Sequence, residues 1–273
     1  AALVSRIPDG VSPDAPLLIV DDVLTALLDM ARYARARTDA KVIGVTGSVG
    51  KTSTKEMLRT ALSDCGRVHA AERSFNNHWG VPLTLARMPA DSDFAVIEIG
   101  MNHPDEIRPL AKLANLDVAI VTNVAAVHME AFESIDQIAH AKAEIFESLS
   151  PDATAIVNVD LPTTYILMDM VRQVGAQLIG FGQSVAADYR VLSIKGAGAV
   201  TQAVADIDGQ ERMYEFQAAG DHFAMNALAV LAAGGAVGCD LGKVIRGRAE
   251  WTAPEGRGAR HGGAVEGGSM TLR

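Results

Sequence analysis

Cysteine is nearly absent: Cys65 and Cys239 are the two in 273 residues, too few and too far apart for a disulfide framework or a thiolate metal site. Both read as small apolar residues of the core. Long hydrophobic runs are missing as well. No uninterrupted apolar stretch approaches the ~20 residues that span a bilayer, and the N-terminus lacks the basic-then-apolar order of a signal peptide, so the cytoplasm is the expected address. Positive charge is not in excess either. The formal net charge is −9 with no stretch dense in Lys and Arg, which argues against a surface built to neutralise a nucleic-acid backbone. Anionic ligands must then be met by local sites. What is present is apolar content, 49% of residues, ample for one large domain or two modest ones. The sequence begins at Ala1 without methionine and ends on Ser269-Met270-Thr271-Leu272, which reads as a strand cut short. A piece of a longer protein is the expectation.

Residues 1 to 40 open with a loop rich in Pro and Asp, pass through Leu17-Leu18-Ile19-Val20 and continue as a helix from about Asp22 to Arg37. From Lys41 onward, short apolar runs alternate with helical patterns: Val42 to Val45, Phe94 to Ile99, Val118 to Thr122, Ala155 to Val159 and a weaker Leu178 to Phe181. Such alternation predicts an α/β fold, a mostly parallel sheet covered by helices on both faces. Ser134-Ile135-Asp136-Gln137 fits a capping box, so a helix should follow through Ile138, Lys142, Ile145 and Phe146. After Gly182 the period drops to two in Tyr189 to Ile194, Ala199 to Ile207 and Arg212 to Gln217, broken at Gly196-Ala197-Gly198 and at Asp208-Gly209. That predicts a small antiparallel meander attached to the parallel sheet. Helices are expected again at His222 to Val237 and near Leu241 to Arg248, followed by a glycine-rich stretch, Gly256 to Gly268, read as a loop or hinge. No internal repeat is evident.

The chemistry concentrates in Val42-Ile43-Gly44-Val45-Thr46-Gly47-Ser48-Val49-Gly50-Lys51-Thr52-Ser53. An apolar strand breaks into a short glycine loop and then a helix, the order of a phosphate-binding loop. Backbone N–H groups must close around phosphate oxygens, which leaves no room for a Cβ at Gly47 and Gly50. Lys51 would reach the β- and γ-phosphates, Thr52 would offer its hydroxyl to Mg²⁺, and the helix would aim its positive end at the anion. The alternative, a glycine turn before an ordinary amphipathic helix, does not account for Lys-Thr in that place. Only two residues separate Gly47 from Gly50, where the common pattern has four. Farther on, Phe94-Ala95-Val96-Ile97-Glu98-Ile99-Gly100 is a buried-strand pattern ending in a carboxylate. At the carboxyl end of a parallel strand, Glu98 would face the ligand crevice and could hold Mg²⁺ beside Thr52; a glutamate in solvent is the alternative.

With these segments in order, the sequence resembles the central ATP-binding domain of the Mur ligases, the ATP-dependent amide-bond-forming enzymes of peptidoglycan synthesis. The resemblance is carried by Thr46 to Glu56, Asn76-Asn77-His78-Trp79-Gly80-Val81-Pro82, Ile97 to His103, Thr122-Asn123-Val124 with His128 and Glu130, Ala141 to Phe146 and Asn226-Ala227-Leu228-Ala229. Gly256-Arg257 is a weaker link. Within the family it is most similar to the members that join D-alanyl-D-alanine to UDP-N-acetylmuramoyl-tripeptide, the two partners the resemblance implies, acting as a monomer without nucleic acid or membrane insertion. It also implies ATP and two Mg²⁺ as cofactors. By this resemblance Thr46, Gly47, Ser48, Val49, Gly50, Lys51, Thr52 and Ser53 bind nucleotide, with Asn102 on the phosphate side and Asn158, His222 and Asn226 near ribose and adenine. Asn76 and Asn77 would lie in a substrate-side loop. Thr52 and Glu98 would hold the first metal and His128 the second. Lys142 matches the family lysine that reacts with CO₂ to become a carbamate, trading an ammonium for the anionic oxygens a hard cation prefers; outside the family, an exposed lysine paired with an acid would be expected there. Lys51, Lys142 and His128 form the implied catalytic set.

One departure stands out: many relatives have His-Asn where this sequence has His222-Phe223, so position 223 takes no polar role. By the resemblance, residues 1–40 are the end of an N-terminal UDP-sugar domain with its connecting helix, 41–255 the ATP-binding domain, and 256–273 the approach to a C-terminal domain. Rival readings are another Mur ligase, a folylpolyglutamate-type ligase, a noncatalytic nucleotide-binding module, and a regulatory P-loop switch. The Asn-Lys-x-Asp motif that a guanine-reading switch needs is not found.

Overall fold

The structure, a computed structural model, describes residues 2–12, 14–127, 129–197, 200–249, 251, 261–265 and 268–272. Two short strands, β1 (Ala2–Val4) and β2 (Leu17–Ile19), pair in parallel. They lead into α1 (Val23–Ala36), where the Asp22 carboxylate accepts from the Thr25 N–H at 2.7 Å and stops the first turn from fraying. The alternating section follows: β3 (Lys41–Thr46), α2 (Lys51–Leu62), β4 (Val68–Ala70), α3 (Gly80–Ala86), β5 (Phe94–Glu98), α4 (Ile107–Ala114), β6 (Val118–Val121), α5 (Ile135–Ala143), β7 (Thr154–Asn158), α6 (Thr164–Val174) and β8 (Gln177–Gly182). A 3₁₀ turn, Glu144–Phe146, extends α5. The antiparallel section is β9 (Tyr189–Ala197), β10 (Val200–Ile207) and β11 (Gln210–Phe216), and α7 (Asp221–Ala236) and α8 (Leu241–Ala249) complete the helices.

Among the described residues, nine strands form one sheet in the order β11-β10-β9-β8-β7-β6-β3-β5-β4. It is parallel from β9 to β4 and antiparallel across β9, β10 and β11. The expected fold class is therefore the observed one, with the meander continuing the same sheet. Successive strand residues alternate between two cores because side chains alternate across a strand. Val42, Ala95, Ile97, Ala119, Val121 and Val157 face one side, where α1, α3, α4, α5 and α6 bring Ala31, Leu85, Leu110, Ile138 and Leu167. Ile43, Val45, Val96, Ile120 and Ile156 face α2, α7 and α8. The meander has only the second cover: Tyr189, Val191, Ala203, Ala205, Tyr214 and Phe216 pack in the α7 core while the intervening residues face outward.

Chain reversal at β10–β11 follows from Asp208 and Gly209, whose φ values of 53° and 75° make the two-residue turn that matches strand twist. Three expectations change. The glycine-rich stretch read as a loop, Gly256 to Gly268, holds β12 (His261–Val265), which pairs antiparallel with β13 (Gly268–Leu272), the strand expected at Ser269 to Leu272; ladder hydrogen bonds come from the backbone, so glycine does not forbid them. Gly256 and Arg257 lie outside the described residues. The break assigned to Gly196-Ala197-Gly198 comes later, since β9 runs through Ala197. The cysteines, separated by sequence, meet in space: both are half-buried, and burial together with the Cys65 thiol pushes the Cys239 thiol up to about 12.

The Ser134 cap is formed, its Oγ accepting from the Gln137 N–H at 3.2 Å, while Gln137 reaches back to the Glu133 N–H at 2.9 Å. Ser134→Ala is expected to lower stability by about 1 kcal/mol, read as a denaturant midpoint, and Ser134→Asp to restore it.

Candidate active site

The site forms where the sheet order reverses. From β3 the chain crosses to β4 and β5 on one side and later to β6 and β7 on the other, so loops leaving the carboxyl ends of β3, β5, β6 and β7 converge on one crevice. Residues 47–50 turn β3 into α2. Gly47 and Gly50 have φ of 151° and 88°, and both are hemmed in. A Cβ on Gly47 would lie 2.0 Å from Thr122 Oγ1, and one on Gly50 would lie 2.9 Å from Asn226 Oδ1. The loop is tied to the segment after β6: the Ser48 N–H donates to the Asn123 carbonyl at 2.9 Å, Ser48 Oγ to the Ala125 carbonyl at 3.0 Å, and Thr122 Oγ1 to the Val49 carbonyl at 2.6 Å. Lys51 folds back across the loop, its Nζ donating to the Gly47 carbonyl at 2.6 Å.

Glu98, at the end of β5, is 2% exposed. Its Oε1 accepts from Thr52 Oγ1 at 3.1 Å and from Asn76 Nδ2 at 2.8 Å, and Ser74 Oγ lies 3.0 Å from the same threonine hydroxyl. Its Oε2 is buried with no hydrogen-bond partner among the described residues. A buried carboxylate oxygen without a donor is costly unless a cation meets it. Hydroxyl and carboxylate oxygens are the hard donors Mg²⁺ takes, and Mg²⁺ commonly uses one or two protein carboxylates, with water and phosphate completing its shell. The residues present thus fit that ion. Among the described residues no cluster of three His, Cys, Asp or Glu side chains forms a self-sufficient metal site.

Lys142, near the end of α5, is 2% exposed, which removes the exposed-lysine alternative. Burial, with the like charge of Lys51 added, pushes it down to about 7, so near neutral pH much of it is the free amine. Its segment is held rigidly: the Glu144 carboxylate, two residues on, accepts the backbone N–H groups of Asp105, Ile107 and Arg108 at 2.8, 3.2 and 3.0 Å.

Of the residues singled out by sequence, Ser48 to Ser53, Asn76, Glu98, Asn158, His222 and Asn226 line one cavity of about 600 Å³. Thr46, Gly47, Asn77, Asn102 and Lys142 are not among its lining residues, and His128 lies outside the described residues. Asn77 is used locally, its Oδ1 accepting from the N–H groups of Trp79 and Gly80 at the entrance to α3. Asn158 donates to the Thr122 carbonyl at 3.4 Å and accepts from the Asp160 N–H at 3.0 Å. His222 lies against Phe223 with ring centroids 4.1 Å apart, and Phe223 against Trp251 at 5.3 Å, so position 223 serves as an apolar wall. Sequence reasoning missed Ser74, Phe223 and Met225 as lining residues; Thr122 and Asn123 had been noted only as motif members.

Residues 45–234 match the family described as Mur ligase middle domain. The sequence is 37% identical over 218 residues to UDP-N-acetylmuramoyl-tripeptide--D-alanyl-D-alanine ligase of Bacillus subtilis, covering 80% of this chain and 46% of the relative. It is 44% identical over 160 residues to the protein of the same name from Escherichia coli, covering 59% and 35%. The chain thus spans about half or less of these curated relatives. The fold is similar to a crystal structure of MurF from Acinetobacter baumannii, with a TM-score of 0.87 and 28% identity over 98% of this chain and 58% of that one.

The Lys142 environment has a pH signature. Its value is near 7 when folded against 10.5 for an ordinary lysine, so between those pH values the unfolded chain binds more protons and stability rises with pH. Lys142→Met is therefore expected to stabilise most at and below about pH 7, the gain shrinking toward pH 10. Denaturant midpoints in bicarbonate-free buffer check this; a gain independent of pH would contradict it.

Proposed function

The chain belongs to the Mur ligase family by its match to the middle domain, and from that premise we propose that it provides the ATP and magnesium site of a ligase joining D-alanyl-D-alanine to UDP-N-acetylmuramoyl-tripeptide. The observation that carries this reading is the buried Glu98 carboxylate, engaged on one oxygen by Thr52 and Asn76 and bare on the other, at the mouth of the phosphate loop. In the reaction, a carboxylate oxygen of the tripeptide forms a bond to the γ-phosphorus of ATP as the bond to ADP breaks. The amine of D-alanyl-D-alanine then attacks the acyl phosphate carbon, and phosphate leaves. The first step depends on positioning and charge neutralisation more than on proton chemistry.

The loop amides of residues 49–52 and the α2 N-terminus receive the phosphates, the Ser48 N–H being held by the Asn123 carbonyl, and Lys51, turning outward from the Gly47 carbonyl, neutralises charge developing on the γ-phosphate. Thr52 and Glu98 would hold the first magnesium ion, which would supply positive charge beside the phosphates. By the family resemblance Lys142 and His128 would hold the second, Lys142 as its carbamate; a free amine is the form that adds to CO₂, and its value near 7 favours that form. His222 and Asn226 at the start of α7 receive the nucleoside, with Phe223 as the apolar wall behind them.

Lys51→Ala in the intact protein, given ATP, Mg²⁺, the UDP-linked tripeptide and D-alanyl-D-alanine, should lower phosphate release by at least about a hundredfold. Turnover near the wild-type rate would sink the assignment. Glu98→Gln keeps the Thr52 and Asn76 contacts possible while removing the charge. It should shift the Mg²⁺ concentration for half-maximal rate upward by about tenfold or more, measured by magnesium titration at saturating ATP.

A further inference from the structure

The face of α2 that packs into the core carries Met57, Leu58, Ala61 and Leu62, all fully buried, and with them Lys55, which is 0% exposed. An ammonium in that position is costly unless every proton finds an acceptor. Here three acceptors surround it: the carbonyls of Ala71 at 2.6 Å and Arg73 at 3.2 Å, and Glu56 Oε1 at 2.8 Å. An apolar side chain of similar length would fill the space without that cost, so the lysine's distinguishing effect is to bind two backbone carbonyls of the connection between β4 and α3.

That connection supplies the oxygen cluster. The residue after Arg73 is Ser74, whose hydroxyl lies 3.0 Å from Thr52 Oγ1, and two residues later Asn76 donates to Glu98 Oε1 at 2.8 Å. The far side of the same loop is fastened by the Gly100 N–H, which donates to the Asn76 carbonyl at 2.8 Å. Lys55 sits three residues after Thr52 on α2, so one helix presents both the threonine hydroxyl and the ammonium that holds the loop facing it.

We propose that Lys55 is a positioning residue for the magnesium–nucleotide site: by clamping the Ala71 and Arg73 carbonyls it sets where Ser74 and Asn76 meet Thr52 and Glu98. The proposal rests on the ATP and magnesium reading given above. Without the clamp, two carbonyls lose their donor, the loop keeps only weaker ties at Ser74 and Asn76, and the carboxylate is free to turn away from the threonine. Nucleotide contacts through Lys51 and the loop amides do not pass through Lys55, so its effect is confined to the magnesium-dependent part of binding.

Lys55→Met removes the donors and keeps most of the volume. Binding of ADP and of ATP is measured by calorimetry in Mg²⁺ and in EDTA, alongside amide hydrogen exchange of residues 71–76 and the melting temperature. The expected result is that the tightening produced by Mg²⁺ falls by at least about tenfold, affinity in EDTA stays within about twofold, and exchange in the loop accelerates. Lys55→Gln, which can still donate to one carbonyl, should fall between, and it carries the measurement if the methionine variant does not fold. Magnesium-dependent tightening retained within about twofold in the variant overturns the role of Lys55 alone. Parallel weakening with and without Mg²⁺, accompanied by a lower melting temperature, overturns it in favour of general core packing. Absence of magnesium-dependent nucleotide binding in the unsubstituted protein overturns the ATP reading itself.

Discussion

The site depends on bare backbone at Gly47 and Gly50. Thr122 from the end of β6 and Asn226 from α7 both occupy space that a Cβ would need, so the loop, the neighbouring strand end and a helix from the far end of the domain can meet only if those two positions carry no side chain. Once they meet, the rest follows from topology: β5 and β6 flank β3 in parallel register, bringing Glu98 to one side of the loop and Thr122 with Asn123 to the other. The contact is mechanical before it is electrostatic.

Three ionisable side chains lie at or under this crevice with almost no exposure, and each is treated differently. Lys55 has acceptors for all its protons. Glu98 is matched on one oxygen only. Lys142 meets burial and the like charge of Lys51. The first arrangement stabilises a loop, whereas the second and third leave unfavourable energy that a bound cation or a change of charge would relieve. Ligand binding and folding are thereby linked, because whatever neutralises these groups in the folded state also shifts the unfolding equilibrium.

Much of this was legible along the chain because it is written locally. The strands flanking the crevice, the loop with Lys51 and Thr52, the cap at Ser134 and the Asp208-Gly209 turn each follow from neighbouring residues. So did the placement of Glu98 at a strand end, though not its burial. What could not be read depends on partners far away in sequence. The amide of Asn76 meets Glu98, 22 positions away, a contact not visible in the neighbouring residues, while Asn77 accepts from the turn into α3. Lys55 was only one residue of the run Thr46 to Glu56, since two of its three acceptors belong to residues 71 and 73 in the connection after β4. β4, three residues long, carries too little pattern to register, and β12, the partner of the strand legible at Ser269 to Leu272, was hidden by glycines that pair through backbone alone.

Among the described residues the nine-stranded sheet ends on β4 and β11, and both are poor templates for a tenth strand. At one border β4 offers three residues, Val68 to Ala70, too few for a stable foreign ladder. At the other, β11 exposes Glu211, Arg212 and Glu215 along its length, charges that an incoming chain would have to desolvate or oppose. The strand that touches α7 through Tyr214 and Phe216 is thus also the one that discourages amyloid-like growth from that side.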